Sequence, residues 1–448
     1  MENEFEIFDN KETHIYVIDS PMGTGKTTKF IKFINELPDY QRVIFITPYL
    51  SECERVINNC KDKNFIQPDV RGGKGRKIDH LLDLIRQEKN IASTHALFAN
   101  ITDEIIYALQ SSNYILILDE AFSVVDKFDL FPEYQSDVNK DLLTKSDIKT
   151  LLDKGFIQVQ EDYLVSWCDE EYLLKKYEPL KRLADRNLLY LVNNTLLLWS
   201  FPVEVFREGI FDQIFILTFQ FESQIQNYYY SFFGLKYLKY WINPNDNYSV
   251  NKTISGNPHE KEWVKEIKSL IKICDNKNLN KIGSYFYDVQ NNIIKTSLSK
   301  NWYMQNKTLH KKLTGNAINF IRHYSSKTVA DDIMWTTFGD FQSSISSKHL
   351  SSKHFVSLNA RATNEYGHKF VLVYLVNRYL NPFYDHFFLA RNVRVDEDKY
   401  ALNEMIQWIW RSRIRNMKPV EIYLPSQRMR ILLEDYLNGE MFNENSNG

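Results

Sequence analysis

Cysteine is nearly missing from this chain: four in 448 residues, at Cys53, Cys60, Cys168 and Cys274, with no CxxC pair among them. That scatter argues against a zinc site and a disulfide framework, and fits reduced thiols in a cytoplasm. Glycine (15) and proline (12) are scarce as well, so long disordered linkers are not expected. No apolar run reaches about 18 residues, so no transmembrane helix and no membrane partner is expected. The acidic start MENEFEIFDN lacks the apolar stretch of a secretory signal. Neither sign of charge is in excess: 55 Lys and Arg stand against 57 Asp and Glu, a net of −2. Such a balance does not announce a nucleic-acid binder, although a basic stripe along one groove is enough for one.

What the chain has in quantity is aromatic side chains, 27 Tyr and 29 Phe, and a length that suits two or three domains of roughly 100–200 residues each. Its first half alternates short apolar runs with amphipathic stretches. HIYVID (14–19), RVIFITP (42–48), NIAST (90–94), YILILDEA (114–121) and FDQIFILTF (211–219) read as strands, and KTTKFIKFINEL (26–37) and LSECERVINNC (50–60) as helices. Strands alternating with helices predict an α/β fold with a parallel sheet covered on both faces. Residues 126–200 read as a mainly helical insertion, and 229–300 follow no clear pattern. From 308 the alternation resumes, with strands expected at 332–339, 354–360, 370–376 and 420–425 and a helix at 400–416. The domains expected are therefore 1–228, carrying the insertion, and 229–448.

The chemistry is concentrated where the first strand ends. SPMGTGKTT (20–28) matches G-x-x-x-x-G-K-[ST] at every position but the first, where Ser20 stands for glycine. Gly23 and Gly25 let the backbone wrap closely, so that the N–H groups of Gly23 to Thr28, Thr24 included, can point at phosphate oxygens. The start of the next helix adds partial positive charge. Lys26 is placed to pair with the β- and γ-phosphates, and the Thr27 hydroxyl to ligate Mg²⁺. A glycine turn before a lysine-rich helix is the plain alternative. The acid that such a loop needs stands at the end of YILILDEA: Asp119 to hold the metal, Glu120 to orient and deprotonate the attacking water. ATP and Mg²⁺ are the cofactors expected.

With these motifs in place the chain resembles a superfamily 2 helicase. ITPYLSECERV (46–56) sits where motif Ia lies, LDEA (118–121) resembles motif II and ILTF (216–219) motif III. The resemblance implies nucleic-acid contact by Thr47 and coupling through Thr218. QWIWRSRIR (407–415) resembles motif VI, with Gln407 at its head and with Trp410 and Ile414 departing from the usual glycine and second arginine. It implies an arginine finger, for which Arg411 is favoured, with Arg413 or Arg415 beside it. Two residues apart, Arg411 and Arg413 diverge by about 200° on an ideal helix, so one of them is expected to reach the phosphate. NARATN (359–364) resembles motif V, implying ATP or backbone contacts by Arg361 and Asn364. Thr94 and His95 follow a strand at a position that often touches nucleic acid, with a capping or core role as the alternative. The motif VI spacing Q-x-x-G-R-x-R, with P-M-G-[ST]-G-K-T-T and D-E-x-x-S (119–123), is similar to the herpesvirus origin-binding helicases. FVSLNARATNEYGHKFVLVYLVNRYLNP (355–382) is similar to helicases of tailed bacteriophages.

The resemblance implies two RecA-like domains with ATP between them. The function it implies is an ATP-dependent helicase or translocase on nucleic acid, DNA rather than RNA, in phage or mobile-element replication, with replication proteins as further partners. An origin-remodelling initiator without processive unwinding and a DNA-packaging motor are the rival readings. So is a scaffold with a decayed P-loop, against which the intact Lys26, Thr27, Asp119 and Glu120 argue. The packaging reading needs a nuclease domain with clustered acids, and none is visible after residue 228.

Overall fold

The computed structural model describes residue 8 and residues 13–70, 75–136, 139–169, 174–194, 196–253, 257–288, 290–326, 328–358 and 365–442. The chain divides into two compact units. The first holds Met1–Asp19, Gly25–Lys252 and Asn381–Val395; the second holds Ser20–Thr24, Thr253–Leu380 and Asp396–Gly448. The expected break near residue 228 falls inside the helix Ile225–Phe233, in the first unit.

In the first unit, β1 (Ile15–Asp19), β2 (Arg42–Thr47), β3 (Ile91–Thr94) and β4 (Tyr114–Asp119) are the strands expected from their apolar runs. Between β1 and β3 lie the helices α1 (Lys26–Glu36), α2 (Leu50–Asn59) and α3 (Lys77–Arg86). Next come α4 (His95–Phe98) and α5 (Asp103–Gln110), each capped by the threonine before it, Thr94 accepting from Leu97 N and Thr102 from Ile105 N.

The insertion follows. Besides the expected helices, Lys145–Asp153 and Glu178–Asp185, it holds β5 (Val125–Lys127), β6 (Ile157–Val159), β7 (Val165–Trp167), β8 (Leu189–Val192) and β9 (Leu196–Ser200). These form a β6–β7 hairpin and a three-stranded antiparallel sheet in the order β5-β9-β8. Ile148, Leu151, Val165, Leu180 and Leu191 are among the residues of its own core.

The chain then returns to the main sheet through β10 (Gln213–Thr218), β11 (Leu238–Asn243) and β12 (Ser249–Lys252), giving the order β12-β11-β1-β10-β4-β2-β3. All pairs are parallel except the β11–β12 hairpin at the edge. The central strands are buried on both faces, which is why they read as unbroken apolar runs. One face packs Phe30, Phe33, Ile34 and Val56 from α1 and α2. The other packs α3, α5 and an aromatic group around Phe201, Phe206, Tyr229 and Tyr230. The helix Pro382–Leu389 joins this second core: Phe387 stacks on Phe232 at 4.6 Å and meets Tyr190 edge-on at 4.9 Å.

The second unit has β13 (Ile271–Ile273), a small hairpin of β14 (Phe286–Tyr287) and β15 (Ile293–Ile294), and then β16 (Ile333–Thr336), β17 (Val371–Tyr374) and β18 (Val420–Tyr423). Its main sheet is parallel, in the order β13-β18-β17-β16. The strand expected over 354–360 is, in its described part, a single bridge from Phe355 to Trp335 after a short 3-10 turn. Trp335, Tyr303, Phe320 and Tyr423 fill the core on one side of the sheet.

Candidate nucleotide-binding site

Five strands of the first unit end in a row of polar residues. Along the carboxyl edge, in sheet order, stand Asp19 (β1), Thr218 (β10), Asp119 (β4), Thr47 (β2) and Thr94 (β3). Ligands of open α/β sheets bind outside this edge. The loop after β1 enters α1 through Gly25, whose backbone is left-handed at φ 77°, and Gly23 is left-handed at φ 83°. A side chain at either would be strained, which is the physical reason for glycine there. Within the loop the Thr24 hydroxyl donates to Pro21 O at 2.8 Å, and the helix proper begins with Lys29 N bonded to Gly25 O at 2.8 Å.

Lys26 and Thr27 head α1, and the structure brings them to the acid expected from the sequence. The Thr27 hydroxyl lies 3.1 and 3.2 Å from the two oxygens of Asp119, 92 residues away. Neither Lys26 nor Asp119 is fully covered, yet protein surrounds both charged groups. Desolvation pulls the Lys26 ammonium down to about 8, against the attraction of Asp19, Asp119 and Glu120. Desolvation, then Glu120, pushes the Asp119 carboxyl up to about 7, opposed by Thr27 and Lys26. A hydroxyl and a carboxylate sharing one position are hard oxygen donors of the kind Mg²⁺ takes. No group of three His, Cys, Asp or Glu side chains poised for a metal exists among the described residues.

Glu120 follows at φ 70°, left-handed, with its N–H bonded to Leu217 O at 2.9 Å. A non-glycine residue held there stores strain of about 1–3 kcal/mol, and such strain gathers at functional positions.

His95 is buried and its Nε2 lies 3.1 Å from the Asp119 carbonyl, with Phe122 edge-on at 5.5 Å. It thus stands directly behind Asp119. Thr47 is fully buried, and its hydroxyl has no hydrogen-bond partner among the described residues. The Thr218 hydroxyl donates to Gln224 Oε1 at 3.0 Å. Thr28 is exposed and accepts from Arg55 of α2 at 3.0 Å.

Three contributors were missed from the sequence. Asp19 accepts from Gln220 N at 2.7 Å and Phe221 N at 3.0 Å and has Lys239 at 3.7 Å, so it fixes the loop after β10 to the root of the P-loop. A carboxylate closing an otherwise apolar strand was the available signal. Gln226 accepts from Phe122 N at 2.8 Å, tying the segment after Glu120 to the helix Ile225–Phe233. Arg55 carried no signal beyond its place on an amphipathic helix.

In the second unit the helix Glu397–Trp410 is capped by Asp396 and ends at Arg411, which is 7% exposed. Gln407 donates to Asn403 one turn back. Arg413 lies beyond the helix in a 3-10 turn, with its guanidinium 4.1 Å over the Phe370 ring and Nε bonded to Pro419 O. The two arginines thus have separate surroundings, because the helix stops between them. Trp408 is core, donating to Val356 O at 3.0 Å, and Trp410 packs on Trp263 at 5.1 Å between ring centres. Arg378, also unforeseen, donates to Tyr400 OH at 2.8 Å and pairs with Glu404 at 3.4 Å, holding this helix to the exit of β17. Arg361 and Asn364 lie outside the described residues, as do residues 71–74 of the basic loop RGGKGRK.

Comparison with known proteins adds the family. The SPbeta prophage-derived protein YonV of Bacillus subtilis (strain 168) is 38% identical over 443 residues, covering 95% of this chain and 99% of its own length. The chain belongs to the YonV family. Residues 265–437 match the YonV C-terminal Rossmann-like domain, and 138–199, inside the insertion, match the YonV middle domain. Among solved structures, "XPD_APO" aligns with a TM-score of 0.54 at 11% identity, over 97% of this chain and 98% of that one. "Structure of S. tokodaii Xpd4" aligns at 0.47 and 13% identity, over 95% and 94%. The YonV-family fold here is thus α/β with parallel sheets in both units and a Rossmann-like C-terminal domain, the class expected from the alternation of strands and helices. No described helix is long and apolar enough to cross a membrane.

The buried carboxyl makes a stability prediction for this YonV-family chain. Free of ligand, Asp119 holds its proton to about pH 7, whereas an unfolded aspartate loses it near 3.8. A folded value raised above the unfolded one contributes stability that is complete below about 4 and is lost as pH rises through 7. Asp119→Asn removes that loss. The variant is expected to melt with the wild type near pH 4 and several degrees above it at pH 8, in EDTA without nucleotide. Parallel melting curves across that range would show that the carboxyl is not held proton-bound.

Proposed function

We propose that this chain is a nucleic-acid-dependent ATPase, a helicase or translocase. The observation that carries the reading is the convergence of Thr27 and Asp119, 3.1 Å apart at the carboxyl edge of a parallel sheet, with Lys26 at the head of the same helix and Glu120 beside the acid. In this reading Lys26 pairs with the β- and γ-phosphates, Thr27 and Asp119 hold Mg²⁺, and Glu120 takes the proton of the attacking water. When bound, the metal would neutralise charge developing on the phosphates. Arg411 is the finger, and Arg413, committed to Phe370 and Pro419, is a supporting residue. Thr47, Thr94, His95 and Thr218 would pass the state of the nucleotide to a strand of nucleic acid, with Arg361 and Asn364 joining from the second domain.

DNA is the favoured track and phage or mobile-element replication the setting, to which the prophage origin of the YonV relative lends support. The likeness to the herpesvirus origin-binding group stands on three sequence motifs, SPMGTGKTT, DEAFS and the arginine spacing of QWIWRSR. The domain boundary proposed lies after β12, near residue 252, with residues 381–395 returning to the first domain.

The test is steady-state ATP hydrolysis with no polymer, with single-stranded DNA, with forked duplex DNA and with RNA. Stimulation of about tenfold or more by one polymer is expected, and it identifies the track. Equal rates in all four would remove the motor reading and favour a protein-driven ATPase.

A further inference from the structure

Sheet order dictates which way a nucleotide must lie on this P-loop. β1 feeds the loop, and Asp119 and Glu120 close β4, two strands away on one side, in the order β1-β10-β4. β11 adjoins β1 on the other side. The γ-phosphate reacts beside the acids, so the ribose and base must leave the loop on the β11 side.

That side is furnished. β11 runs parallel to β1 with Ile18 opposite Tyr240. β1 therefore ends one residue further on, at Asp19, while β11 continues to Asn243. The β11–β12 turn thus projects from the same edge as the P-loop. It is a built turn. Asn245 N donates to Asn243 Oδ1 at 3.1 Å, Ser249 N to Asp246 O at 2.8 Å, and Ser249 Oγ to Asp246 Oδ2 at 2.8 Å. Asn247 and Tyr248 both have left-handed backbone, φ 47° and 57°. Asparagine accepts that conformation readily, whereas for a bulky aromatic residue it is a real outlier.

The turn holds Tyr248 over the P-loop. A Cβ built on Gly25 would stand 3.0 Å from Tyr248 Cε1 and 3.5 Å from Cδ1. Tyr248 as a residue nonetheless stays 46% exposed, among the exposed large apolar residues described. A strained backbone that holds an aromatic ring against the phosphate loop, on a residue still nearly half exposed, has the form of a surface awaiting a flat apolar ligand.

We propose that Tyr248 is the aromatic contact for the nucleoside half of a nucleoside triphosphate held by this P-loop. The proposal rests on the ATPase reading above and adds the residue that recognises the part of the substrate the loop itself does not touch. Stacking is tolerant of base identity, so Tyr248 selects a nucleotide over bare polyphosphate more than one base over another.

Binding of the non-hydrolysable analogue AMP-PNP and of inorganic tripolyphosphate, each with Mg²⁺, separates the outcomes by calorimetry. Tyr248→Ala is expected to weaken AMP-PNP about tenfold and leave tripolyphosphate within about twofold, with Tyr248→Phe close to wild type for both ligands. Equal weakening of both ligands would mean that the ring merely supports the loop, and it overturns the proposal. Unchanged AMP-PNP binding in Tyr248→Ala overturns it too, and leaves the ATPase reading standing. A folded wild type that binds neither ligand removes both together.

Discussion

Lys26→Ala is expected to lower ATP turnover by about 10²–10³-fold, the scale on which a preorganised group facing developing charge contributes. The loss alone would be ambiguous, since a misfolded protein is inactive as well. The burial of this lysine resolves the ambiguity. Desolvation holds its ammonium down to about 8 in the ligand-free protein, against an ordinary value of 10.5. A depressed value means a contribution present above about 10.5 and lost as pH falls through 8, so at pH 7 the charged side chain costs stability. Removing it should leave the melting temperature of the ligand-free protein unchanged or raised. Inactivity with a preserved or higher melting temperature assigns Lys26 to phosphate binding. Inactivity with a lower one would assign it to the fold, and turnover within about threefold of wild type would end the P-loop assignment.

That lysine was legible in the sequence because its whole context is local. Strand, two glycines, lysine, threonine and helix follow one another within Ile15–Glu36, and each shows in residue type alone. Asp119 was legible for a different reason. It ends an apolar strand, and chemistry demands an acid near Thr27, so the pairing across 92 residues could be argued before its 3.1 Å was seen. Asp19 and Tyr248 could not be found that way. Asp19 acts through backbone amides 201 and 202 residues away, which depends on β10 being the strand beside β1. Tyr248 matters only because β11 lies on the other flank of β1 with a register that carries its turn past Asp19. Strand order is set by tertiary packing and leaves no trace in local periodicity. The return of Asn381–Val395 to the first unit is hidden likewise, since an amphipathic helix does not state which core it joins. The small sheets of the insertion were missed because strands of three to five residues, such as β6 and β9, are too short for a two-residue alternation to stand out beside neighbouring helices.

Glu120→Gln is the sharper probe of chemistry, because it changes one atom's basicity and little else. Removing a general base should slow hydrolysis by about 10²–10⁴-fold, while ATP affinity stays within about threefold, since the proposed reading gives the phosphates to the loop and to Lys26. The amide keeps the length of the side chain. It also keeps the left-handed backbone at φ 70° and the bond from its N–H to Leu217 O, so Asp119 should not move. Glu120→Gly separates strain from chemistry. Glycine adopts φ 70° without cost, so this variant should be as inactive as Glu120→Gln yet more stable than wild type by about 1 kcal/mol or more. A glycine variant less stable than wild type would mean that the side chain, through its own contacts, holds the turn in place. A glutamine variant with wild-type turnover would move the base elsewhere. The left-handed turn would then be read as a device for aiming Asp119, with His95 at its carbonyl and Thr27 at its carboxylate.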